Sequence, residues 1–139
     1  MFNKILLAAD GSEHSIRAAE NAIVLTQNNP EAKIEIVYVI NSEASKADVL
    51  RDLDTDAINL KRNQKLLPLQ EKMKQAKVDF KVKFIHGEPG PALVKYANDG
   101  EFDIVVIGSR GLNTLQDLVL GGVSHKVAKR ANCPVLIVK

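Results

Sequence analysis

Two glycine clusters late in the chain have the make-up of an anion cradle. Gly108-Ser109-Arg110-Gly111 follows an apolar run; after the nine residues Leu112 to Leu120, Gly121-Gly122-Val123-Ser124-His125 opens a helical pattern. Only residues without a side chain let backbone N–H groups close on an anion, and a helix start adds unpaired N–H groups and the positive end of its dipole. The chemistry of such an arrangement is phosphate binding. Each helix-terminus effect is worth about 0.3–1 kcal/mol at an exposed site, so several must act together on a triphosphate. Asp10-Gly11 ends a second apolar run and offers a carboxylate. A plain turn accounts for either feature alone; the two facing each other across one sheet favour a nucleotide.

That juxtaposition depends on the elements between them. Lys4 to Ala9 is short and apolar, the pattern of a central parallel strand buried on both faces. Ser12 supplies an N-cap for a helix to Thr26, with Ile16, Ala19, Ile23 and Val24 as its inward stripe. Ile34 to Ile40 is a second strand, apolar apart from Glu35 and Tyr38. Asn41 to Asp56 reads as a long polar loop with helical pieces, and a helix follows from Thr55 to Ala76, facing inward through Ile58, Leu66, Leu69 and Met73. Pro68 falls inside it and is expected to kink it.

Val78, Phe80, Val82 and Phe84 alternate with Asp79, Lys81 and Lys83, as in a strand with one wet face, hence an edge. Gly90-Pro91 starts a helix that packs through Leu93, Val94 and Ala97 and stops at Asn98-Asp99-Gly100. A fourth strand spans Ile104 to Ile107, a helix runs from Gly122 to Ala131, and a fifth strand spans Val135 to Val138. Alternating strands and helices predict an α/β fold, a five-stranded parallel doubly wound sheet in the order 3-2-1-4-5. Ligands of such sheets bind where the winding reverses, here between Asp10 and Gly108. The fifth strand is unbroken apolar with only Lys139 as protection, so a homodimer paired through Val135 to Val138 is expected.

Composition narrows the function. The 139 residues suit one domain over residues 1–139, and 45% hydrophobic with 26% charged residues is an ordinary globular balance. A net charge of +2, four Phe, two Tyr and no Trp leave little for a nucleic-acid surface, and no nucleic-acid partner is expected. No uncharged stretch approaches membrane-spanning length, and Ile5 to Ala9 is too short for a signal-peptide core, so no membrane partner and a cytoplasmic location are expected. Cys133, the single cysteine, excludes an internal disulfide and reads as a packed thiol. His14, His86 and His125 lie on separate elements without metal-ligand spacing, and Lys61-Arg62 with Lys72 to Lys77 read as an exposed helix face.

The spacing G-x2-G-x9-G from Gly108 to Gly121, the entry Ala9-Asp10-Gly11-Ser12 and the closing Cys-Pro-Val-Leu-Ile-Val together resemble the universal stress protein family, in its ATP-binding branch, from Lys4 to Lys139. The resemblance implies a Rossmann-like adenine nucleotide alpha hydrolase-like fold and a stress-response module that binds ATP with Mg2+ or Mn2+. It implies that Asp10 holds the ribose and lies near the metal, with Ala8 and Ala9 beside it, and that the backbone of Val39 reads adenine. It further implies that Ile107, Gly108 and Gly111 admit ribose and phosphates, and that Gly121, Gly122, Val123 and Ser124 bind the phosphates from the helix start. Arg110 meets the terminal phosphates or is a solvated surface arginine. One departure stands out: Gly122 occupies a position where ATP-binding members usually carry Ser or Thr.

Other machines are absent. There is no G-x-x-x-x-G-K-[ST], no G-x-G-x-x-G after the first strand, and no acidic pair of a receiver domain; the third strand ends in Ile85-His86-Gly87. No well-placed general base is found, so no catalytic residue is assigned and hydrolysis is expected to be slow at most. The rival readings are a nucleotide-free interaction protein of the same fold, kept open by Gly122, and a binder of AMP or a cyclic nucleotide.

Overall fold

The computed structural model describes residues 2–41, 55–109 and 122–139. Their elements run β1 (Lys4–Ala8), α1 (Glu13–Thr26), β2 (Lys33–Ile40), α2 (Thr55–Gln75), β3 (Asp79–His86), α3 (Pro89–Asp99), β4 (Ile104–Gly108), α4 (Gly122–Arg130) and β5 (Val135–Val138). The five strands form one sheet in the order β3-β2-β1-β4-β5, every described pair parallel, as the alternation of strand and helix patterns predicts.

Strand periodicity divides the core in two. Ile5 and Leu7 of β1, Ile34 and Ile36 of β2, and Ile104 and Val106 of β4 point to one face, where they meet α1 and α2. Leu6 and Ala8, Val37, and Val105 and Ile107 point to the other, against α3 and α4. A strand buried on both faces must be apolar throughout, which is why β1 and β4 are continuous apolar runs. β3 instead alternates exposed and half-buried positions at the sheet edge. The four residues of β5 are all half-buried.

α1 starts as its sequence requires: the Ser12 hydroxyl accepts the Ser15 N–H at 3.3 Å. Its buried stripe is Ser15, Ala18, Ala19 and Ala22, small residues that bring the helix close to the sheet. Val24, expected to face inward, is 57% exposed. At about 100° per residue it lies roughly 200° beyond Ala22, on the opposite side of the helix. Ile16 and Ile23 pack at the edges of the stripe. In α2, Leu66, Leu69 and Met73 are fully buried, and Pro68 sits on the exposed side of the continuous helix. The Ile58 side chain and the segment 42–54 lie outside the described residues.

Burial also treats polar groups distinctly. Cys133 is half-buried, and burial is the main cause that raises its thiol pKa, in keeping with a packed thiol. Tyr96 is pushed up to about 12, first by burial and then by its hydrogen bond to Glu35, so its hydroxyl stays protonated over the physiological range.

Candidate functional site: the cleft where β1 and β4 part

The hydrogen bonds at the carboxyl ends of β1 and β4 run in opposite directions. β1 and β4 pair only as far as Leu7 with Val106. Beyond that point the Ala9 N–H donates to Val37 O of β2 at 3.0 Å, while the Ser109 N–H donates to Val138 O of β5 at 2.8 Å. β1 stays paired with β2 as far as Ala8 with Val37, and β4 with β5 as far as Gly108 with Val138, so the outer pairings outlast the central one. β1 and β4 thus part between Ala8-Ala9-Asp10 and Ile107-Gly108-Ser109, the topological switch point of the sheet, where doubly wound sheets have their ligand crevice.

α4 closes one side of it. The Ser124 hydroxyl, in a residue only 2% exposed, donates to Ser109 O at 3.4 Å, which ties the first turn of the helix to the end of β4. The leading N–H groups of any helix lack intrahelical partners, so this tether brings donors and the positive dipole end to the crevice. Gly122 heads the helix and is exposed, and a Cβ built on it meets no atom of the described residues within 4 Å.

Asp10 stands opposite, half-buried. Its Oδ1 accepts the Ser12 N–H at 2.9 Å, a turn that fixes the carboxylate as α1 begins. Its Oδ2 has no donor among the described residues and is available to hydroxyl groups of a ligand. Gly11, next to it, has φ +85°, and an added Cβ would lie 3.0 Å from both Cβ and the carbonyl oxygen of Lys65 in α2. Glycine is required here by backbone conformation and by space together.

The positions singled out in the sequence thus fall at neighbouring ends of elements: Ala8, Ala9 and Asp10 at β1, Val39 near the end of β2, Ile107 and Gly108 at β4, and Gly122, Val123 and Ser124 at α4. Arg110, Gly111 and Gly121 lie outside the described residues. Ala8, Ile107 and Val123 are at most 8% exposed; the two strand residues pack in the core beneath α3 and α4, and Val123 faces that core from α4.

Three neighbours were not legible as site residues. Ser109 links β5 and α4 through its N–H and its carbonyl. Arg17 donates from Nε to Lys139 O at 3.1 Å, which links α1 to the residue after β5, and its guanidinium lies 3.0 Å from His14 Nδ1. The i, i+3 spacing of His14 and Arg17 on a helix was the available signal for that pair. Among the described residues no group of three or more His, Cys, Asp or Glu side chains is arranged to hold a metal ion. No described helix is long and apolar enough to cross a membrane.

A parallel sheet parted at this switch point, with an acid at the end of one strand and a glycine-headed helix beside the other, defines a doubly wound α/β protein with its ligand-binding end at the strand carboxyl termini. The universal stress protein family model matches residues 1–139, and the chain belongs to that family. Universal stress protein YxiE of Bacillus subtilis is 29% identical, with 100% of both chains covered. Universal stress protein MJ0577 of Methanocaldococcus jannaschii is 30% identical over 100% of this chain and 96% of its own. The solved structure of MJ0577 superposes with a TM-score of 0.86, covering 100% of this chain and 96% of that one. A universal stress protein crystallised in complex with cAMP is 29% identical, with a TM-score of 0.73 and coverage of 99% and 97%.

Proposed function

We propose that the chain is an adenine-nucleotide-binding module of the stress response, with ATP as its ligand and Mg2+ or Mn2+ accompanying the phosphates. The observation that carries this reading is the divergence of Ala9 and Ser109 toward opposite neighbours, with Ser124 holding the start of α4 against the gap. Asp10 Oδ2 takes the ribose hydroxyls and the main chain near Val39 takes the adenine edge. Main-chain N–H groups of Gly108, Gly111, Gly121, Gly122, Val123 and Ser124 take the phosphates, and Arg110 reaches the terminal one. Ala8, Ala9 and Ile107 form the floor. The metal is held by the phosphates with Asp10 nearby. A relative crystallised with cAMP supports the adenine preference. The test is to denature freshly purified protein and chromatograph the supernatant: ATP is expected, and a fraction free of adenine nucleotide, with no ATP uptake on titration, would refute the reading.

Gly122 favours a second reading, in which the ligand is AMP or a cyclic monophosphate, because no hydroxyl follows Gly121 to meet the outer phosphates. The space around Gly122 allows a direct comparison. Gly122→Ser adds a hydroxyl beside a charged phosphate, an interaction worth about 1.5–3 kcal/mol, so ATP is expected to bind at least roughly tenfold more tightly. Calorimetric titration of both proteins with ATP and AMP measures it; a gain for AMP equal to that for ATP would place the hydroxyl away from the outer phosphates.

The same proposal includes a cytoplasmic homodimer joined through Val135 to Val138, since β5 is a short edge of half-buried apolar residues. Light scattering at micromolar protein is expected to give twice the chain mass, and a monomer would remove this part of the reading.

A further inference from the structure

We infer that the cleft between β3 and α3, floored by Glu35, is a second binding site, for a small, uncharged or anionic aromatic molecule that carries an O–H or N–H donor. Glu35 is the third residue of β2, flanked by Ile34 and Ile36, and is only 5% exposed. A buried carboxylate is stable only when its oxygens are hydrogen-bonded. Its Oε1 accepts the Tyr96 hydroxyl at 2.8 Å and is ion-paired with Lys81 Nζ at 3.2 Å. Oε2 takes no donor among the described residues.

The space beside it is large enough for a ligand. Two adjoining clefts of about 440 and 430 Å³ share Lys4, Glu35, Lys81 and Phe102 as lining, within the size range of small-molecule sites. The larger cleft has an apolar wall of Tyr96 and Phe102, whose ring centroids are 5.7 Å apart at a 36° tilt, and Phe102 extends it into the second. Lys4 Nζ lies 4.6 Å from the centre of the Phe102 ring. An aromatic molecule packs on this wall and donates to Oε2.

The bordering charges set the sign of the ligand. Lys4, Lys81 and Lys95 surround the larger cleft, against Glu35 and Asp99. Lys81 already answers Glu35 and Lys95 is 2.8 Å from Asp99, so a further cation would be repelled by Lys4. An anionic or acceptor substituent is attracted instead. A purely structural role for Glu35 explains its contacts to Tyr96 and Lys81, but not an acceptor left open beside a cavity. The site is distinct from the crevice at Asp10: Lys4 starts the strand that Asp10 follows, and the inference stands without the nucleotide reading.

The probe is 4-hydroxybenzoate, with benzoate as its donor-free analogue, each titrated into 15N-labelled full-length protein. Saturable shifts are expected at the amides of Glu35, Lys81, Tyr96 and Phe102, with benzoate at least ~10-fold weaker, because a site built around a hydrogen bond rejects the analogue that lacks it. Glu35→Gln keeps an oxygen for Tyr96 and Lys81 but turns the open acceptor into a donor. It is expected to weaken 4-hydroxybenzoate at least ~10-fold while ATP titration is unchanged. Absence of saturable shifts in the millimolar range, equal affinity for benzoate, or an unaffected folded Glu35→Gln variant would each overturn the inference. Should Glu35→Gln not fold, the benzoate comparison on the unaltered protein decides.

Discussion

Asp10→Ala is expected to weaken ATP binding at least ~10-fold and up to ~100-fold, because a hydrogen bond to a charged group is worth about 1.5–3 kcal/mol. Two losses contribute. The alanine removes Oδ2, the oxygen proposed to hold the ribose, and it removes Oδ1, which accepts the Ser12 N–H and fixes the turn into α1. Asp10→Asn separates them. Its amide oxygen can still accept from Ser12, whereas its NH2 cannot accept from a ribose hydroxyl. Asp10→Asn should therefore melt close to the wild type yet bind ATP about tenfold more weakly, and Asp10→Ala should lose somewhat more affinity and some stability. Calorimetric titration alongside thermal unfolding measures both. Wild-type affinity in Asp10→Asn would remove the ribose contact from the proposal and leave Asp10 a turn residue.

The sheet order was legible because burial differs by strand. Continuous apolar runs at Ile5 to Ala9 and Ile104 to Ile107 can only be central in a parallel sheet, and the alternation from Val78 to Phe84 can only be an edge. The position of the crevice followed from that order, since Asp10 and Gly108 end adjacent strands. Less legible was the face of α1, whose buried stripe is alanine and serine. Hydropathy favours Ile and Val over such small residues, yet close approach to the sheet selects them, and Val24 went to solvent. Glu35 was equally hidden. An acid within an apolar strand reads as a solvent-facing exception, and the partner that makes its burial tolerable, Tyr96, is 61 positions away. The link from Arg17 to Lys139 O spans 122 positions, beyond any local pattern. In each case the missing information was a long-range polar contact or a packing distance, neither of which has a periodicity.

Gly11→Val tests the other half of the β1 turn and is expected to cost about 2–6 kcal/mol of stability. With φ at +85°, a β-branched residue adopts a strained backbone conformation, worth about 1–3 kcal/mol. Its Cβ would also arrive 3.0 Å from Cβ and the carbonyl oxygen of Lys65. The carbonyl belongs to the α2 backbone and cannot swing aside as a side-chain tip could, because the adjacent Leu66 and nearby Leu69 are fully buried against the sheet. Crowding of this kind adds about 1–3 kcal/mol. For a domain of this size the sum lowers the melting temperature by about 10 °C or more. Gly11→Ala, with the same Cβ but no branch, should fall between the two proteins. Gly122→Ser is the internal control: its added Cβ meets no atom of the described residues within 4 Å, so its stability should stay within about 0.5 kcal/mol of the wild type. Equal melting temperatures for Gly11→Val and Gly122→Ser would show that the Asp10 turn does not rest on α2, and the carboxylate would lose the support that aims it into the crevice.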